Sequence, residues 1–164
     1  MGKVIGEFTN GWPGAVSRSI DNVIIAMKNG TSGHIPFGVP VFFYLGDVAC
    51  CKSFDSQNAA SFSADGFLGF TVRSGIKTPE EYGSNEAVFT LKDPVEILVR
   101  GSMTVFFEDG ADPGSKVYIR KSDGVLVTEA GTSGSTLELP NVRVRTASDD
   151  GGFAEIVILK RNLM

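Results

Sequence analysis

The chain has 164 residues, 42% hydrophobic and 21% charged, with 20 glycines, 7 prolines and a formal net charge of -4. A chain of this size buries about 68–70% of its unfolded surface, so one domain holds its own core without a disulfide or metal staple. The acidic balance argues against a nucleic-acid partner, and no apolar run reaches the roughly 20 residues of a membrane-spanning helix; the longest, 39–51, is broken by Gly46 and Asp47.

Glycine and proline interrupt every window that would carry three or four helical turns, so the chain is expected to be all-β. Residues 1–40 contain Asn10-Gly11, Pro13-Gly14, Asn29-Gly30, Gly33, Pro36, Gly38 and Pro40. That leaves room for one short strand, 22–27, in an otherwise extended N-terminal arm. The start has no continuous apolar core before Glu7, so no export or lipid signal is expected.

Residues 41–164 form the expected β domain. A strand begins at 41–45, the polar stretch 50–62 reads as a loop or one short helix, and β alternation resumes at 66–73. Thr78-Pro79-Glu80-Glu81 would open a helical turn, with Thr78 capping and Pro79 at the first helical position. Strands are then expected at 87–92, 95–100, 103–108, 116–121, 125–129, 137–146 and 153–159. Asp109-Gly110, Asp123-Gly124 and Asp150-Gly151-Gly152 supply the turn chemistry between them. The clearest hairpin is 116–121 returning as 125–129, where Val117 and Ile119 alternate with Tyr118 and Arg120. Asp112-Pro113-Gly114 suits a tight turn ahead of it, and Gly101 predicts a bulge or a sharp bend. Short, regularly spaced strands point to a jelly-roll-like sandwich or a small β-barrel.

Catalytic signatures are sparse. The sole histidine, His34, sits in the loop sequence Thr31-Ser-Gly-His-Ile-Pro36, so any triad would rest on it alone. Two cysteines and one histidine fall short of a zinc set, no phosphate-binding glycine loop precedes a helix, and no cofactor is expected. Asp149-Asp150 and Glu80-Glu81 lack the spacing of a calcium loop and read as solvated turn residues. Cys50 and Cys51 are adjacent, too close for an ordinary disulfide, and are expected reduced and packed. The 12 phenylalanines, among them Phe37, Phe42, Phe43, Phe67, Phe70, Phe89, Phe106 and Phe107, exceed what one small barrel needs, so some are expected to face a partner.

Five segments carry a family resemblance. These are Gly11-Trp-Pro-Gly-Ala-Val-Ser-Arg18, Pro36-Phe-Gly-Val-Pro-Val41, Asp93-Pro-Val-Glu-Ile-Leu-Val-Arg-Gly101, Lys116-Val-Tyr-Ile119 and Gly151-Gly-Phe-Ala-Glu-Ile-Val157. In this order they resemble the head cement, or decoration, proteins of tailed bacteriophages. The resemblance implies a non-enzymatic virion component, made in the host cytoplasm, that sits on the outer capsid surface. There it would bridge major capsid protein subunits against internal DNA pressure, as a homo-oligomer, dimer or trimer. The arm is the expected anchor, with Trp12, Pro13, Arg18 and Phe37 as capsid contacts, since interface energy concentrates in a few Trp, Tyr and Arg side chains. The alternative is a receptor- or carbohydrate-binding β module of a phage tail or fibre, which would gather exposed aromatics in a concave groove rather than on a flat surface.

Overall fold

A computed structural model describes residues 10–44, 50–73, 88–91 and 93–162, and the side chains of all of these except 18–20. Its strands are β1 (Val16–Asn29), β2 (Ile35–Pro36), β3 (Pro40–Phe43), β4 (Cys50–Ser53), β5 (Phe67–Thr71), β6 (Val88–Phe89), β7 (Pro94–Phe106), β8 (Lys116–Arg120), β9 (Leu126–Val127), β10 (Thr136–Val144) and β11 (Phe153–Ile158). Short 3-10 turns at Ser56–Ser61 and Ala64–Gly66 are the helical elements among the described residues. The fold is all-β, as the absence of helical periodicity predicts.

Nine strands form one mixed sheet in the order β1-β4-β3-β5-β7-β11-β10-β8-β9, and β1 also pairs with β7. That extra pairing closes the first five strands on themselves, while β7 continues into the β11-β10-β8-β9 layer. Two cores result. Inside the ring lie Val41, Cys51, Leu68, Val95, Ile97 and Val99, with Ile35, Phe37 and Phe89 plugging it from the small β2–β6 ladder. Between the ring and the second layer lie Phe42, Phe67, Phe70, Leu98, Met103, Val105, Val117, Ile119, Leu139 and Ile156.

Strand β7 serves both cores, and Gly101 is where it changes over. Before Gly101 the odd positions Val95, Ile97 and Val99 point into the ring; after it the odd positions Met103, Val105 and Phe107 point into the sandwich. A strict two-residue alternation cannot do this, so one extra residue must be absorbed. The register against β1 shifts accordingly, with Val23 opposite Arg100 and Ile24 opposite Leu98. Gly101 has φ 121, and a Cβ there would lie 1.9 Å from the Asn22 side-chain oxygen. The expected bulge is therefore present, and the strands expected at 95–100 and 103–108 are one continuous strand.

The hairpin expected at 116–129 is present, with Tyr118 facing Val127, Ile119 facing Leu126 and Gly124 at φ 79 in the connecting turn, but its return strand, expected at 125–129, is only Leu126–Val127. Other elements differ from expectation in extent. The strand expected at 22–27 is the middle of the fourteen-residue β1, because β7 supplies a partner as far back as Val16. The strand expected at 87–92 reduces to Val88–Phe89 among the described residues. The polar stretch 50–62 divides into β4 and a 3-10 turn, which Asp55 caps by accepting a hydrogen bond from the Gln57 N–H at 2.9 Å. The turn expected at Thr78-Pro79 lies outside the described residues.

Cys50 and Cys51 are both buried. Burial pushes the Cys51 thiol up to about 12, against the lowering effect of its backbone hydrogen bond, so it packs as a small apolar group.

Candidate docking face

Residues 10–15 cross one face of β7 and β11 and then turn into β1. The turn follows from its sequence: the Ala15 N–H donates to the Trp12 carbonyl at 2.9 Å, Pro13 holds the second position, and Gly14 takes φ 79 at the third. This is the type II pattern, in which proline fixes one φ and glycine supplies a positive one. Beyond the turn, the Gly14 N–H donates to the Thr104 carbonyl at 2.9 Å and the Thr104 N–H to the Ala15 carbonyl at 3.0 Å, continuing the β1–β7 ladder.

A second glycine turn backs onto the first. Gly38 has φ 72, and a Cβ on it would lie 2.6 Å from the Gly14 nitrogen. The end of β5 ties both turns down. The Arg73 N–H donates to the Gly14 carbonyl at 2.8 Å, the Gly38 N–H to the Thr71 carbonyl at 2.9 Å, and the Thr71 hydroxyl to the Pro36 carbonyl at 2.8 Å. The segments Gly11–Arg18 and Pro36–Val41, far apart in sequence, are thus one packed unit.

Upstream, Asn10 is a clasp. Its side-chain amide donates to the carbonyls of Ala147 at 2.9 Å and Phe153 at 2.7 Å, and its N–H donates to the Asp149 carboxylate at 2.8 Å. Asp149 also accepts the N–H groups of Phe153 and Gly151. Burial works to raise its pKa, but these donors outweigh it and hold the carboxyl below its usual range.

The expected contact residues fall into three settings. Trp12 is 53% exposed, with the Arg73 guanidinium 5.9 Å from its ring centre, and half-buried Pro13 shapes the turn beside it. Phe37 is instead a core residue. It is 6% exposed, sits edge-on to Phe89 at 5.2 Å, and has Arg73 at 5.6 Å on the same unit, so it supports the turn from beneath. Arg18 lies further along β1 opposite Ser102, and its side chain is outside the described set.

Two features are new relative to the sequence reading. Arg73 links Trp12 to Phe37, and nothing near Arg73 in sequence signals either ring. Phe106 is 45% exposed and packs at 5.6 Å on half-buried Phe153 of β11, on the same face that Asn10 crosses. The signal for Phe106 is its alternation with buried Phe107, legible once the changeover at Gly101 is known. Trp12 and Phe106 are thus exposed rings on backbone that is fixed by hydrogen bonds and strand pairing.

The family model described as structural cement protein (E217 gp24/Pam3 gp6) matches residues 3–159. The chain belongs to this phage cement family. A chain of the solved capsid of Myoviridae Phage XM1 shares the fold of this cement protein, with a TM-score of 0.68 at 19% identity over 96% of each chain. No curated protein matches it. Family membership makes the protein a structural component of the phage particle.

Proposed function

We propose that this cement protein docks on the outer surface of the phage shell, bridges neighbouring major capsid protein subunits and stabilises the head against internal DNA pressure. The supporting observation is the presentation of Trp12. The chain's sole tryptophan stands 53% exposed on a turn held by two back-to-back glycines and by Arg73 and Thr104. In the isolated chain more than half of the Trp12 surface stays in water despite its contact with Arg73, and a ring on a pre-ordered turn loses little backbone entropy on docking. Phe106 adds a second exposed ring, and Arg18, on β1, is proposed as the ionic contact. The net charge of -4 suits a position away from packaged DNA.

Docking only to the assembled shell adds stability by mass action. Heads saturated with the protein are expected to withstand higher temperature than heads lacking it, measured by DNA release on heating. Equal heat resistance of decorated and bare heads would overturn the proposal.

A further inference from the structure

We infer that the cement protein carries a second binding site, a cleft for neutral hexose sugars beside the ends of β3 and β4. The cleft encloses about 710 Å³, within the roughly 300–1,000 Å³ of small-molecule sites. It shares no residue with the docking face, so it stands independently of the proposed function.

Its floor is aromatic. Phe62 packs against Phe42 and against Phe54, each at 5.0 Å, and Phe42 and Phe54 lie 6.3 Å apart. Phe42 is buried, but Phe54 and Phe62 are only half-buried, and all three line the cleft. Two separate parts of the chain make the walls: the stretch from β4 through the 3-10 turns, and Asp123 in the β8–β9 turn, where Gly124 lies close against the Phe54 ring. Half-buried phenyl rings in a concavity leave apolar surface that suits the C–H groups of a pyranose ring.

The wall is polar, and its charges are already engaged. The Lys52 ammonium sits 3.9 Å over the Tyr44 ring. Asp55 accepts the Gln57 N–H at 2.9 Å and the Asn58 amide at 2.7 Å, and Asp123 pairs with Arg120 at 2.7 Å. What the wall offers is hydroxyl and amide chemistry: Ser53, Ser56, Ser61 and Ser63 line it, and Ser63 makes no cap hydrogen bond. A phosphorylated or acidic ligand would meet two carboxylates, Asp55 and Asp123, against the single ammonium of Lys52 in this lining; a neutral polyhydroxyl ligand needs only the hydroxyl and amide groups present.

The test is a titration of the intact 15N-labelled protein with maltotriose, cellotriose, mannotriose and N-acetylchitotriose, each to tens of millimolar, on the order of weak-site affinity. Saturable shifts are expected for at least one of the four, confined to residues 31–34, 52–66 and 123. Phe62→Ala should weaken that binding roughly tenfold or more. Because Phe62 also touches the core, exposed Asn58→Ala is the second variant, expected to weaken binding several-fold with an unchanged melting temperature. Neither variant should alter shell docking. Absence of saturable shifts with all four sugars, or shifts that survive both variants, would overturn the inference.

Discussion

The ring core and the sandwich core are built by different kinds of contact. The sandwich layer is assembled from two hairpins, β8 on β9 and β10 on β11, joined by the pairing of β10 with β8. The ring is closed by β1, which pairs with β7 from Val16↔Met103 to Lys28↔Pro94 and in parallel with β4 at Lys28↔Cys50. Its last apolar residues come from β2, Phe37 and β6. The difference teaches that residues 16–40 are structural members of the ring, while exposed Trp12 stands just ahead of them. The proposed shell contact and ring closure therefore run through one stretch of chain, and variants must separate them.

The most disruptive way to break the comparison is at the changeover. Gly101→Val places a branched side chain at φ 121 and against Asn22, and should cost roughly 3–5 kcal/mol, read as a lower urea midpoint with an unchanged slope. Next come the neighbours Ile97 and Leu98, both fully buried but in different cores. Each truncation to Ala should cost about 2–4 kcal/mol, but hydrogen exchange should quicken in β1 and β4 for Ile97→Ala and in β10 and β11 for Leu98→Ala. Identical exchange patterns would mean one undivided core.

What sequence made legible follows the same division. The β8–β9 hairpin was readable because Val117 and Ile119 alternate next to an Asp-Gly turn, all within one short window. Strand β1 was readable only at its centre, since Ser17-Arg-Ser-Ile-Asp-Asn22 has no alternation and becomes strand through β7, with register shifts between Arg18 and Val23. Trp12 stood out as the one tryptophan, but the burial of Phe37 depends on Phe89 and Arg73, which no local pattern connects to it. The 3-10 turn at Ser56–Ser61 rests on Asp55 as cap, a signal present in sequence but compatible with a plain loop.

Smaller effects sharpen the picture around the docking face. Gly14→Ala meets both a positive φ and the Gly38 nitrogen at 2.9 Å, and should cost about 1–3 kcal/mol while loosening the Trp12 turn. Smaller again is the Asn10–Asp149 clasp. The folded pKa of Asp149 is depressed, so its contribution is complete above the unfolded value of about 4 and is lost as pH falls through the folded value. Trp12 fluorescence in the native state should therefore change at acidic pH in the parent protein, and Asp149→Asn should remove that step. A step of equal size in the variant would assign it to another carboxylate.

The measurement that bears most directly on docking pairs shell affinity with melting of the free protein for Trp12→Ala. Loss of roughly 2 kcal/mol or more of affinity for heads, with the melting temperature moved by less than about 2 °C, is the predicted result. Unchanged affinity, or an affinity loss matched by earlier melting of the free protein, would contradict it and make Trp12 a staple of its own fold.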